Sequence, residues 1–337
     1  MSQANGKLKV AEIGLGPIGC AVARLAAAHP ACDLVGAADV APEIAGRDLG
    51  DVLGLDPLGV EVSPSIDALL DRVKPDLVLH TTGSFIPDVD AELREILGRG
   101  ISIVSTCEEL GYPFYRHPDL SRDLDTYAAS HNAVLLGTGV NPGFVMDKLI
   151  ATTLAACARV DRVWSLRIVN ASTRREPLQR KVGAGITPEE FDKRKTTGKF
   201  GHIGMTESAH MVADVIGVPR DRNVTNDLRP KIAERQIQTD YLTVEAGQVT
   251  GVHQIVTVES EGKERARLEL QMYVGAEDPR DTFRTEGDPP LELNLPGGVP
   301  GDSATASITL HTALCTPGLA PGLRTMLDLP LRHVPGL

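Results

Sequence analysis

A chain of 337 residues is longer than one hydrophobic core ordinarily serves and points to two domains. Its composition, 42% hydrophobic and 23% charged, is that of a globular protein, and a formal net charge of −11 argues against nucleic acid or an acidic membrane as partner, because surfaces that bind phosphates need Lys and Arg in excess. Five scattered cysteines without a Cys-x-x-Cys pair, a polar opening MSQANGK and the lack of any apolar run of about 18 residues lead to the expectation of a reduced, cytoplasmic chain that works on small molecules.

The first predicted elements lie in KLKVAEIGLGPIGCAVARLAAAHP, a short apolar run that turns through Gly14, Gly16 and Gly19 into an Ala-rich helical segment. This is Gly-x-Gly-x-x-Gly between a strand and a helix. Gly14 permits the tight turn, Gly16 lets a pyrophosphate approach the backbone, Gly19 lets helix and strand pack closely, and Pro17 and Ile18 open the helix between them. A second strand, CDLVGAADV, ends in Asp39, twenty residues after Gly19, where the fingerprint places an acid for a ribose 2′-hydroxyl. An acid there favours NAD; Arg47, close by in sequence, keeps NADP open.

The alternation continues with a strand near VEVS (60–63), a helix SIDALLDRV, a strand DLVLHTTGS, a helix over 88–99, a strand ISIVS, a helix near LDTYAASHN and a strand AVLLGTGVNPG. Strands alternating with short helices give a parallel, doubly wound sheet, so TTGS, STCEE and GVNPG gather at one edge, beside the cofactor. Glu108 and Glu109 stand at that edge. Thr106 with Glu109, or Ser105 with Glu108, has capping-box spacing, and one box accounts for only one of the two acids. Cys107 beside them is a candidate nucleophile, although a small buried thiol is the commoner fate of cysteine.

After NPGFVMDKLIATTLAACARV, read as an amphipathic helix from about Phe144, the texture changes. RVDRVWSLRIVNAS, IVTVESEGKERARLELQMYVGA and SATASITLHTAL alternate with period two and predict strands of a half-exposed sheet. TRREPLQRKVGAGITPEEF reads as a long cationic loop, and MTESAHMVADVIG as a helix. Glu207 and His210 share a helical face with His202 shortly before, but no His-Glu-x-x-His supports a metal. The expected division is a dinucleotide-binding domain over 1–144, a second domain over 145–312 with an open, largely antiparallel or mixed sheet, and a tail over 313–337 packing back on the first.

Taken together, IGLGPIG, TTGSF, STCEELGYP, GTGVNPGFVMD, NASTRREPLQRKVGAG, GHIGMTES and PGLRTMLDLP resemble the 2,4-diaminopentanoate dehydrogenase family, which includes native amine dehydrogenases and shares its architecture with dihydrodipicolinate reductase. The resemblance implies a Rossmann domain, NAD(P)H-dependent reductive amination of a ketone and its reverse, and a homodimer. It implies an acid/base at Glu108 or, failing that, Glu109. It implies a cofactor site that adds Thr81, Thr82, Gly83, Asn141, Pro142 and Gly143 to the glycine turn. Phe144, Met146, Arg174, Lys181, His202 and Met205 are the candidates for a substrate pocket. The alternative is a reductase of C=N or carbonyl groups that leaves ammonia out. Against it, the region where dihydrodipicolinate reductases carry a His-His pair and a Ser-Gly-Thr reads IVNASTRREPLQRKVGAG here.

Overall fold

The computed structural model describes residues 6–198 and 200–336; residues 1–5, which hold most of the polar opening, lie outside them. In chain order the elements are β1 (Leu8–Ile13), α1 (Pro17–Ala28), β2 (Cys32–Ala38), α2 (Leu49–Leu53), β3 (Val62–Ser63), α3 (Ile66–Arg72), β4 (Leu77–His80), α4 (Ile86–Leu97), β5 (Ser102–Ser105), a 3-10 turn (Glu108–Gly111), α5 (Pro118–Ser130) and β6 (Val134–Gly137). There follow α6 (Lys148–Leu154), β7 (Arg159–Asn170), α7 (Glu176–Lys181), α8 (Pro188–Lys195), α9 (Met205–Val215), β8 (Asn223–Ile232), β9 (Ile237–Gln238) and β10 (Thr243–Val244). The chain continues through β11 (Val249–Ser260), β12 (Lys263–Tyr273), β13 (Arg280–Asp288), β14 (Leu291–Pro296), α10 (Gly301–Cys315) and β15 (Gly322–Arg324). The chain forms two compact units, one running to Phe144 and resuming at Pro300, the other Val145–Val299. No helix among the described residues is long and apolar enough to cross a membrane.

The first unit is a parallel sheet in the order β15-β6-β5-β4-β1-β2-β3. Its central strands are buried on both faces, which explains their near-continuous apolar character. Ala11, Ile13 and Val78 point into a core with α4 and α5, while Val10, Leu77, Leu79 and Val104 point toward α1 and α10. Pro17 at the first helical position starts α1, and Ser65 Oγ caps α3 by accepting from Ala68 N (3.2 Å). Strand order turns back at β1 and β4, so the carboxyl ends of these strands open a crevice.

The second unit is a mixed sheet, β14-β13-β7-β12-β11-β8, in which only β7 and β12 run parallel. Glu261 and Gly262, both at positive φ (53° and 71°), make the two-residue turn between β11 and β12. Helix α9 covers β11 and β12 on one face. The other face carries Trp164, Arg267, Glu269 and His253, with Glu269 accepting from all three neighbours.

Four expectations need correction. SATASITLHTAL is helix α10, not a strand, and it belongs to the first unit, so the second unit closes at Val299 rather than 312. Ala306, Leu310 and Ala313 face the α1 side, and Ile308, Thr309 and Thr312 are buried as well; a helix covered around most of its girth loses the polar contrast that marks period 3.6. The long loop over 173–191 holds α7 and the start of α8, where Pro177 and Pro188 sit in first helical turns and Thr187 caps through Glu190 N (3.3 Å). The helix expected from Phe144 starts at Lys148, where the Asp147 carboxylate accepts from Lys148 N (2.6 Å). Strands β8, β13 and β14 have no counterpart among the expected elements, since their burial is mixed and their sequences polar.

Candidate active site

The glycine turn closes as its spacing demands. Gly14 has φ +90°, and a Cβ there would stand 2.9 Å from Thr81 O. A Cβ on Gly19 would overlap Gly14 O and come within 2.5 Å of Thr81 Oγ1, so this third glycine is required by contact with the turn itself. Gly16 is different: it is exposed, caps α1 and has nothing within 4 Å of its Cβ position. That open space, in front of the amides at the start of α1 and beside exposed Pro17 and half-buried Ile18, fits a pyrophosphate. At the end of β2 the Asp39 carboxylate accepts from Leu15 N (2.6 Å) and Ala41 N (2.8 Å), which pins it beside the turn, and the next residue, Val40, is 86% exposed.

After β4, Thr81 Oγ1 lies 2.7 Å from Gly14 O and 2.9 Å from Glu12 Oε1, and Thr82 Oγ1 donates to Glu92 Oε2 (2.7 Å). A Cβ on Gly83 would stand 2.8 Å from Val89. His80, wholly buried, donates from Nε2 to Glu92 (2.9 Å) and sits 2.9 Å from Ser105 Oγ through Nδ1. His80 is the main reason that the Glu92 carboxyl lies below its ordinary range. The Ser-His-Glu string has the connectivity of a hydrolytic triad, but Ser105 is fully buried and its Oγ accepts from Cys107 N (3.1 Å). It is a brace between β4, β5 and α4.

The two acids after β5 part company. Glu109 is 3% exposed; its Oε2 accepts from Ile86 N (2.9 Å) at the start of α4 and from His117 Nε2 (2.8 Å), and Arg116 Nε stands 3.5 Å from Oε1. No side-chain cap closes the 3-10 turn, so Glu109 caps α4 rather than its own turn. Glu108 is half-buried at the first position of the same turn. Burial pushes the Cys107 thiol up to about 12, aided by Glu108 and Glu109, so it stays a thiol and the nucleophile reading falls.

This turn packs directly on the segment after β6. A Cβ on Gly137 would overlap the Leu110 carbonyl carbon, and one on Gly111 would come 2.9 Å from Pro142 Cγ. Asn141 and Pro142 are buried, Gly143 has φ +123° and a Cβ there would stand 2.5 Å from Gly139 N, and Phe144 is half-buried. STCEELGYP and GTGVNPG, far apart in sequence, therefore form one wall.

The remaining substrate candidates lie in the second unit. Met146 and Met205 are buried; Met146 lines, with Leu149, Ser165, Phe283 and Leu293, a cavity of ≈ 10 Å³, room for a single water. The GHIG loop is clasped by Gln254, which accepts from His202 N (2.8 Å) and donates to His202 O (3.1 Å), while the His202 residue is half-buried. Arg174 is half-buried just before α7 and Lys181 is exposed at that helix's end. His210 Nδ1 faces buried Arg222 (3.1 Å), which also pairs with Asp214 (2.6 Å) and holds the end of α9. Sequence reading missed Glu12, His80 and Glu92. The signal for Glu12 was present, as a carboxylate inside the apolar strand that leads into the glycine turn.

A parallel sheet reversing at β1 and β4, with a glycine turn, an acid after β2 and the 108–111 turn at its carboxyl edge, defines an oxidoreductase of the nicotinamide-dependent Rossmann class. Residues 144–335 match the 2,4-diaminopentanoate dehydrogenase C-terminal domain, and the chain belongs to that family. It is 28% identical to the 2,4-diaminopentanoate dehydrogenase of Acetoanaerobium sticklandii, over 96% of this chain and 94% of that protein. The structure of an amine dehydrogenase from Mycobacterium smegmatis superposes with a TM-score of 0.85 at 28% identity, covering 99% of each chain. An enzyme of gentamicin A biosynthesis solved with NAD shares the fold at 16% identity (TM-score 0.55, 87% of this chain and 74% of that one).

Proposed function

We propose that this chain is an NAD-dependent amine dehydrogenase that interconverts an amine or diamino acid with the corresponding ketone and ammonia, with Glu108 as acid/base. A ketone, ammonium, reduced cofactor and one proton give the alkylammonium, oxidised cofactor and water, the nicotinamide supplying the hydride. The observation that carries the reading is position: Glu108 stands half-buried at the first position of the 108–111 turn, at the carboxyl edge of the sheet, on the turn packed against Pro142. In the aminating direction Glu108 takes a proton from the incoming ammonium, returns one to the departing hydroxyl of the carbinolamine, and steadies the iminium charge.

Gly14, Gly16, Pro17, Ile18, Gly19, Thr81, Thr82 and Gly83 would hold the phosphates and ribose, with Asn141, Pro142 and Gly143 toward the nicotinamide. Asp39 supports NAD, because its fixed carboxylate repels a 2′-phosphate. Among the pocket candidates, Arg174 and His202 suit a substrate carboxylate and Phe144 an apolar chain, while buried Met146 and Met205 act through packing. The functional unit in this reading is a homodimer paired through the open face of the second sheet, which light scattering tests.

The deciding experiment is NADH oxidation with 2-pentanone, cyclohexanone and 2-amino-4-oxopentanoate, each with and without a high concentration of ammonium. Turnover that requires ammonium is the expected result. Equal turnover without it makes the protein a carbonyl or imine reductase.

A further inference from the structure

Glu12 stands in the middle of β1 with none of its side chain exposed. Its lateral neighbours are Ala37 on β2 and Leu79 on β4, and it shares with Val10 the face that α1 and α10 cover. Oε1 lies 2.9 Å from Thr81 Oγ1, and Oε2 has no hydrogen-bond partner. Thr81 Oγ1 is also 2.7 Å from Gly14 O and 3.3 Å from Ile13 O. Three acceptors therefore surround a hydroxyl that owns one proton.

An ionised Glu12 cannot satisfy this count. It would have to take the Thr81 proton, leaving the Gly14 carbonyl facing a lone pair at the point where the glycine turn closes, or leave its own charge buried without a donor. A neutral Glu12 solves it. With the proton on Oε1, Glu12 donates to Thr81 Oγ1, Thr81 donates to Gly14 O, and Oε2 becomes a carbonyl oxygen, the kind of buried group that most cheaply lacks a partner. Burial acts in the same direction and raises the carboxyl well above its ordinary range. Among the described residues no cation acts on Glu12 beside the Thr81 hydroxyl; the Cys20 thiol on α1 feels Glu12, together with Arg24 on the same helix and Asp39 after β2. On α10, Asp302 lies in the first turn and His311 couples to His29 and His333.

We propose that Glu12 is a positioning residue for the cofactor: as a neutral acid it orients the Thr81 hydroxyl toward the Gly14 carbonyl and so holds the glycine turn in the shape that receives the pyrophosphate. This rests on the glycine turn being the cofactor's seat. Loss of the Glu12 proton as pH rises draws the Thr81 hydroxyl away from the turn and weakens cofactor binding.

The first test is an infrared difference spectrum of the wild-type chain against Glu12→Gln at pH 7, without cofactor. A protonated-carboxyl band is expected; carboxylate bands overturn the proposal. The second is NADH affinity, read by fluorescence across pH, for the wild type, Glu12→Gln and Glu12→Leu. Glutamine donates to Thr81 without titrating, so it should keep the wild type's low-pH affinity and a flat profile. Leucine offers no donor and should bind at least about tenfold more weakly at every pH, and wild-type affinity should fall about tenfold per pH unit above the point where the infrared band disappears. Leucine binding as tightly as wild type, or wild type losing the band without losing affinity, overturns it. A third readout needs no cofactor. Because the folded-state carboxyl titrates above the unfolded one, stability falls as pH rises from the ordinary glutamate range through the folded value, and Glu12→Gln removes that slope. Failure of the wild type to bind NADH or NADPH at any pH would sink the cofactor reading and leave the infrared and stability results to judge Glu12.

Discussion

Glu12 under the glycine turn and Glu109 after β5 are both hidden from water, at 0% and 3% exposure. Glu109 accepts from a helix N-terminal amide and from His117, with Arg116 beyond; Glu12 meets one hydroxyl already claimed by two carbonyls. Burial alone therefore does not say what a carboxyl group does. The donors within reach decide whether it serves as an anion that ties segments together or as a neutral acid that passes a hydrogen bond along.

The largest effect expected is on Glu108, the half-buried counterpart of both. Glu108→Gln should lower turnover about 10²–10⁴-fold with NADH affinity unchanged, whereas Glu109→Gln should spare turnover per folded molecule. Comparable rate losses in both would erase the distinction between the pair. The cost of Glu109→Gln falls on stability instead, about 2–3 kcal/mol by denaturant midpoint, discounted because Arg116 is 42% exposed. A midpoint equal to wild type would show that the α4 bracket is idle. The glycines divide in the same way: Gly19→Ala should cost about 1–3 kcal/mol in the cofactor-free chain through its clash with Gly14 O, and Gly16→Ala less than about 1 kcal/mol while weakening NADH binding. The smallest effect lies in the second unit. Hydrogen bonds from His253 and Trp164 and the charge of Arg267 hold the Glu269 carboxyl at about 2, against an ordinary 4.5. Its contribution is present above pH 4.5 and is lost as pH falls toward 2, so thermal unfolding against pH should show a slope there that Glu269→Gln lacks.

The parts legible in the sequence are those written over short spans. The Gly14-Gly16-Gly19 spacing and the β-branched runs before each crossover depend on neighbours a few residues away, and the residues themselves declare the geometry. The partners of Glu109 do not: Ile86 lies 23 residues before it, on the far side of α4, and no spacing rule links them. Helix α10 misled for a related reason, since its burial comes from contact with α1, nearly the whole chain away. In α7 and α8 the prolines in the first turns were readable and outweighed by the loop's charge.

The return of the chain at Pro300 also fixes an order of assembly. Strand β15 pairs with β6 at Val134, Leu135 and Leu136, Asp125 Oδ1 accepts from Leu323 N (2.8 Å), and α10 packs on α1. During synthesis the nucleotide-binding half emerges early yet lacks its last strand and a covering helix until more than 150 further residues have been made. The inserted unit, Val145–Val299, is contiguous and can fold while the ribosome is still at work. Until β15 arrives, the β6 edge stands open as a template for another chain, so nascent or truncated molecules ending before Gly322 are the ones most in need of chaperone cover.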